Sequence, residues 1–205
     1  CEGFDTPVAR GKQVAVVGGG NVAMDAARCA KRLGAQVTVV YRRSGTELPA
    51  RAEEVRHAQE EGVDFRLLTN PIRILGDGRG AVRAMECVEM TLGEPDASGR
   101  RRPIEKEGSN FELTVDMVIM AIGTSPNPLL CRTTAGLQTD RKGCLVVDAQ
   151  GATTRPGVFA GGDAVTGAAT VILAMGAGKT AAASIDAYLR AESSARRQRA
   201  DAPAF

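Results

Sequence analysis

The run Gly18-Gly19-Gly20-Asn21-Val22-Ala23 has the residue types and spacing to hold a pyrophosphate. Gly18 permits a sharp turn, Gly20 lets backbone approach the anion, and Ala23 allows a helix to pack closely on a strand. A helix that opens at Asn21 and Val22 presents free N–H groups and the positive end of its dipole to the same anion. The pattern lies between a strand-like and a helix-like run, so the predicted ligand is a dinucleotide. About twenty residues further on, a site for NAD would carry an acid for the ribose hydroxyls. Arg42, Arg43 and Ser44 stand there instead. Arginine makes forked, charge-assisted bonds to phosphate oxygens and gains nothing comparable from an uncharged hydroxyl. NADP(H) is therefore predicted over NAD, the competing reading being a solvated basic pair beside Glu47.

The elements that must position these residues are legible as a repeating unit. Gln13-Val14-Ala15-Val16-Val17 reads as a strand, and Val22, Ala23, Ala26, Ala27, Ala30 and Leu33 recur at helical spacing until Gly34. Residues 37–41 form a second buried-type strand, which completes a βαβ unit. Pro49 is predicted to open a charged helix to about Glu61, with Gly62 as its stop and residues 64–68 as a third parallel strand. Past Pro71 the texture changes to short β-type runs broken by Gly76-Asp77-Gly78, then the polar stretch 93–110, which reads as antiparallel strands with a long exposed loop. Residues 115–122 return to the first sheet and end at Gly123. The fold class is thus α/β, a Rossmann-like NADP-binding domain of parallel sheet plus antiparallel meander. From Cys144 the reading gives strands at 145–147 and 158–160, then Gly161-Gly162-Asp163 and a small-residue helix over about 168–189. Two strands and a helix bury too little to fold alone, so this segment reads as a fragment that docks elsewhere. Residues 191–205 read as a frayed tail.

Composition excludes several classes. The 205 residues are 43% hydrophobic and 24% charged, and 26 basic against 24 acidic side chains leave a formal charge of +2. Neither nucleic acid nor a membrane surface finds a global electrostatic partner here, and no apolar run reaches a spanning length of about 18 residues. A cytoplasmic protein is the expectation. The five cysteines, at 1, 29, 87, 131 and 144, include no C-x-x-C pair and no histidine at ligand spacing, so no metal site or dithiol centre is predicted. Cys29, Cys87 and Cys144 read as small buried hydrophobes. His57, the lone histidine, reads as a solvated helix residue among Glu53, Glu54 and Glu61.

Several motifs together resemble the pyridine-nucleotide-dependent flavin oxidoreductases, and within them the small subunits of NADPH-dependent glutamate synthase. They are Val17 through Asp25, Tyr41-Arg42-Arg43-Ser44 with Glu47-Leu48-Pro49-Ala50, Ala121-Ile122-Gly123, and Gly157 through Asp163. The resemblance runs from about Val8 to Leu189. It implies two dinucleotide-binding domains, with the NADPH domain inserted into an FAD domain. Residues 1–12 would then be a linker from a preceding region, 13–143 the NADPH-binding domain, 144–190 the closing segment of the FAD domain, and 191–205 a flexible tail. Asp25 matches a carboxylate near the nicotinamide, and Ala121, Ile122 and Gly123 match a strand end that passes close to the dinucleotide. Gly162 and Asp163 match the motif that orients the flavin's ribityl chain, and Ala169, Thr170 and Val171 open a helix aimed at the flavin. No side chain is implied as a catalytic acid or base, because hydride transfer needs proximity and orientation.

The family's amino-terminal half would carry the FAD fingerprint and the cysteines for iron–sulfur clusters, and neither is found in these 205 residues. The expected partners are that amino-terminal half and a glutamate synthase large subunit or another electron-acceptor protein. The alternatives are a ferredoxin–NADP transhydrogenase-type or other two-dinucleotide flavin oxidoreductase, and a non-enzymatic NADP-binding module. The missing C-x-x-C disfavours a thioredoxin reductase.

Overall fold

A computed structural model describes residues 9–95 and 99–200. β1 (Gln13–Val17) passes through the glycine run into α1 (Asn21–Arg32) and β2 (Gln36–Val40). A 3-10 turn at Gly45–Glu47 precedes α2 (Ala52–Glu60) and β3 (Asp64–Arg66). α2 opens at Ala52 rather than at Pro49. Leu48 and Arg51 are extended, and the Arg51 N–H is taken by Asn21 Oδ1 at 2.9 Å, a long-range bond that sets the helix start.

The second group of strands is β4 (Thr69–Gly76), β5 (Val82–Pro95), β6 (Arg101–Glu105) and β7 (Phe111–Thr114), after which β8 (Met117–Met120) rejoins the first. The parallel sheet has the order β3-β2-β1-β8, and β4, β6 and β7 all pair antiparallel with β5. The stretch read as strands with a long loop is mostly ladder. β5 and β6 pair from Met90 and Glu105 to Pro95 and Arg101, with an irregularity between Leu92 and Pro95. This ribbon exposes most of its residues, so it carries little of the apolar alternation that would mark its strands in sequence.

Alternation along β1 explains the layering. Val14 and Val16 face α1 and α2 with Met24, Ala27, Ala58 and Val63, whereas Ala15 and Val17 join Val40, Met85, Cys87 and Val115 on the other face. A parallel sheet covered on both faces needs apolar side chains at every position, hence the unbroken run Val14 to Val17. The closing strand is anchored at its start. Asp116 accepts the N–H groups of Lys12 and Gln13 at 2.9 to 3.0 Å and so ties the beginning of β1 to the beginning of β8. Burial pushes the Cys87 thiol up to about 11, which suits a packing residue. Cys144 is also buried, but Cys29 is exposed, because it shares the outer face of α1 with Val22 and Asp25.

The chain divides into two compact units, residues 1–122 and 123–205. The second contains α3 (Pro128–Thr133), α4 (Asp163–Thr166) and α5 (Val171–Ala200). The segments read as strands there form only isolated bridges, Thr139 with Leu145, Val147 with Thr153 and Ala152 with Phe159. Asp140 and Asp148 explain this. Each carboxylate accepts two nearby backbone N–H groups at 2.8 to 2.9 Å, so turns replace a ladder. α5 continues past residue 190 through a stretch that reads in sequence as a frayed tail, while residues 201–205 lie outside those described. Among the described residues no helix is long and apolar enough to cross a membrane.

Candidate functional site

Within the first unit, β1, β2 and β8 bring their carboxyl ends to one edge of the parallel sheet, and the sequence-predicted residues of that unit gather there. Open parallel sheets bind ligands outside this edge. Gly18 follows β1 with φ 143°, donates its N–H to the Val40 carbonyl at 3.0 Å, and lies so close to Ala121 that a Cβ would overlap the Ala121 carbonyl oxygen. Ala121 in turn donates to Val17 at 2.8 Å. Gly18 therefore belongs to the joint between β1 and β8.

Gly19 is sealed from below. A Cβ there would come within 2.6 Å of the Tyr41 ring and 2.9 Å of Leu48, and the Gly19 carbonyl accepts from Ala50 at 3.0 Å. Tyr41 keeps its position by donating its hydroxyl to the Glu47 carbonyl at 2.8 Å. Gly20 is different in kind. Its backbone is extended, it precedes α1 without a side-chain cap, and no atom lies within 4 Å of where its Cβ would be. The space above Gly20 and the first turn of α1 is the cradle that a pyrophosphate requires, with the helix's unpaired N–H groups at its floor. The glycine turn thus fits a dinucleotide on geometry as well as on pattern.

The other predicted residues are less uniform. Asn21 has its amide oxygen committed to Arg51, which leaves its backbone N–H for an anion. Val22 is 69% exposed at the opening of α1, and Asp25 is exposed on the same face. Arg42 is exposed and has no hydrogen bond or ion pair among the described residues. Arg43 is half-buried and donates from Nε to the Arg101 carbonyl at 2.9 Å. Ser44 donates both its N–H, at 3.2 Å, and its hydroxyl, at 3.1 Å, to the Glu47 carboxylate. Burial alone would push the Glu47 carboxyl up, but the Ser44 donors, the Arg101 N–H and the Arg101 charge together hold it below its ordinary value. Ile122 is 70% exposed just past β8.

Sequence reasoning did not assign Tyr41, Leu48 or Arg101 a part in this edge, and it named Glu47 only as a partner for the basic pair, whereas Glu47 takes the donors of Ser44. Tyr41 and Leu48 lie inside a motif already noticed, and only the closeness of Gly19 reveals their work as its floor. Arg101 is nearly sixty positions from Arg43 in sequence, with |i−j| of 58, and nothing local points to it.

The second unit holds the remaining candidates. Gly123 opens it at φ 84° with open space around its would-be Cβ. Gly161 lets backbone approach α5, since a Cβ would meet Ala177 at 2.9 to 3.1 Å. Gly162 at φ 67° turns the chain into α4, where Asp163 is exposed as the first residue. Thr170 directly precedes α5, its carbonyl accepting from Ala174 at 3.0 Å, and Ala169, Thr170 and Val171 are all exposed. The left-handed turn at Gly162 and the open helix start at 169–171 fit the extended, polar chain of a flavin dinucleotide. They leave the Asp163 carboxylate exposed, with no hydrogen bond or ion pair among the described residues.

Comparison with known proteins agrees with this geometry. Residues 2–182 match the family described as pyridine nucleotide-disulphide oxidoreductase. The chain is 50% identical over 186 residues to the beta subunit of an NADP(+)-dependent formate dehydrogenase of Moorella thermoacetica, covering 90% of this chain and 26% of that protein. It is 40% identical over 199 residues to the glutamate synthase [NADPH] small chain of Halomonas elongata, covering 92% of this chain and 42% of that one. The chain thus spans well under half the length of these relatives. Among solved structures, the thioredoxin reductase of T. acidophilum superposes with a TM-score of 0.67 at 25% identity, over 88% of this chain and 53% of that one.

Proposed function

The chain belongs to the pyridine nucleotide-disulphide oxidoreductase family, and on that premise we propose that it binds NADP(H) at the carboxyl edge of its parallel sheet and serves hydride exchange with FAD. The observation that carries this reading is the pairing of an open cradle at Gly20 with two arginines at the end of β2. Gly20, Asn21 and Val22 hold the pyrophosphate through backbone N–H groups. Gly18 and Gly19 shape the turn, and Arg42 with Arg43 hold the adenosine 2′-phosphate. Asp25, Ala121, Ile122 and Gly123 line the path of the nicotinamide half. Both relatives described above carry NADP in their names, which supports the same cofactor here.

In this reading residues 13–143 form the NADPH-binding domain and 144–190 close an FAD-binding domain. Gly162 and Asp163 receive the ribityl chain, and Ala169, Thr170 and Val171 meet the flavin ring with the positive end of α5. Bound in such sites, reduced nicotinamide supplies a hydride that the flavin accepts. This chain's residues bind and orient, and none acts as an acid or base. The whole protein passes electrons on to a partner subunit, and a glutamate synthase small chain is the form proposed, supported by 40% identity over nearly the whole chain. The 50% identity to a formate dehydrogenase subunit favours a second reading, with the same cofactors and a different acceptor partner.

Calorimetric titration with NADPH and with NADH tests the proposal, after a check for flavin absorbance. Preference for NADPH by tenfold or more, about 1.4 kcal/mol, is the expected result. Equal binding of the two, or binding of neither, removes it.

A further inference from the structure

The hairpin of β5 and β6 is joined to the candidate site by its backbone. Arg43 donates Nε–H to the Arg101 carbonyl at 2.9 Å, and the Arg101 N–H is given to the Glu47 carboxylate. A third tie lies just below. Leu68, held at φ 50°, donates its N–H to the Arg43 carbonyl at 3.0 Å and accepts from Met90 at 2.7 Å, where the hairpin begins. The start of β6 is thus fixed against the turn that follows β2. The exposed Arg101 guanidinium lies close enough to Glu47 to act on its charge.

Ser44 has its donors engaged within the turn: its N–H bonds the Glu47 carboxylate, and its hydroxyl lies 3.1 Å from the same carboxylate and 2.8 Å from Thr46 Oγ1, so a 2′-phosphate would have to compete for them. Arg42 and Arg43 are consecutive, and successive side chains leaving a strand diverge. Arg43 turns toward β6, while Arg42 is exposed and has no partner among the described residues. A phosphate with three acceptor oxygens is held best by donors converging from different elements, and Arg101, whose carbonyl takes the Arg43 Nε–H, brings a cation to Arg43's side of the turn.

We propose that Arg101, delivered by the β5–β6 hairpin, is a specificity residue for the adenosine 2′-phosphate of NADP(H), beside the position that the sequence reading gives to Ser44. The inference rests on the NADP(H) reading above and adds a residue to that site. Glu47 makes the extra cation necessary, because a carboxylate beside the phosphate repels it and a third guanidinium offsets that repulsion.

The test is a set of affinities measured on the full chain, for NADPH against NADH and for adenosine 2′,5′-bisphosphate against 5′-AMP. Arg101→Ala keeps the backbone N–H and carbonyl that tie the hairpin, so its melting temperature stays near that of the parent chain. Its affinity for the two 2′-phosphorylated ligands falls about tenfold, with NADH and 5′-AMP within about twofold of the parent. Arg101→Lys recovers part of the loss because charge remains while the fork is gone. Ser44→Ala shifts the same ratio by less than about threefold, and Arg79→Ala, which removes another exposed arginine, leaves it unchanged.

The inference is overturned if Arg101→Ala leaves the ratio intact, if it weakens all four ligands alike, or if Arg79→Ala costs as much. If the parent chain prefers NADPH and the double variant Arg42→Ala/Arg43→Ala loses that preference while Arg101→Ala does not, only this inference fails. If the parent chain shows no preference, the NADP(H) reading falls with it.

Discussion

Three adjacent glycines do three different jobs, and single alanines separate them. Gly18→Ala drives a Cβ into the Ala121 carbonyl at a φ that L residues avoid, so it loosens the joint of β1 and β8. A loss of about 2 kcal/mol or more, read as a fall of several degrees in melting temperature, is expected. Gly20→Ala meets no atom, so its melting temperature holds while NADPH affinity falls, because the methyl occupies the space left for the pyrophosphate. Equal melting of the two variants would show that the packing at Gly18 has been misjudged. Arg42→Ala/Arg43→Ala should weaken NADPH by about 100-fold or more and leave NADH nearly unchanged, since each of the two charge-assisted bonds lost contributes roughly 1.5–3 kcal/mol. The glycine pattern was legible because each glycine is demanded by local geometry. The role of Tyr41 under Gly19 was not, because a ring beneath a turn leaves no trace in spacing.

Between elements, α1 and α2 are joined by charges that make a pH test available. Glu61 accepts from Arg32 at 2.6 and 2.9 Å and from Arg28 at 2.9 Å, and Arg28 also reaches Glu54 at 3.0 Å. The hydrogen bonds from Arg32, with Arg28 beside them, outweigh the opposing effect of burial and lower the Glu61 carboxyl to about 2. A carboxylate held below its ordinary value of 4.5 adds stability that is complete above that value and disappears as pH falls through it toward about 2. Glu61→Gln is therefore expected to melt below the parent at pH 6, with the gap closing as the buffer is taken down toward pH 2. A gap that persists at the acid end would mean that the pair does not carry the effect. The βαβ unit itself was readable from sequence, because a strand buried on both faces is apolar throughout and a helix buried on one face is periodic. The start of α2 was not readable, since it depends on a bond from Asn21 to Arg51 across thirty positions, with |i−j| of 30.

At the scale of the molecule, the two units differ in what they bury. Among the described residues, both apolar clusters lie in the first unit, whereas the buried hydrophobic residues of the second are Cys144, Leu145 and Ala181, and Val171, Ile172, Leu173 and Met175 are exposed along α5. A chain ending at Gly123 is expected to melt cooperatively and keep most of its affinity for NADPH, while residues 124–205 alone should show no cooperative transition by calorimetry. Cooperative melting of the smaller piece would contradict this account of its core. The sequence reading set its boundary at 143/144, whereas the compact units divide after Ile122, and strands were overread at 145–147 and 158–160 because aspartate turns that take backbone N–H groups leave no mark in apolar spacing.

The pairing of β1 with β8 has a further consequence, for the order of synthesis. β3 ends at Arg66 and β8 begins at Met117, so about fifty residues must still be translated after the first three strands exist; at roughly 5–20 residues per second that takes several seconds. Throughout that interval the Val-rich flank of β1 emerges from the ribosome with an unpaired edge, open to strands of other nascent chains. Asp116 arrives just ahead of β8 and ties its start to the start of β1, and the pairing of Met117–Met120 with Val14–Val17 then shuts that edge.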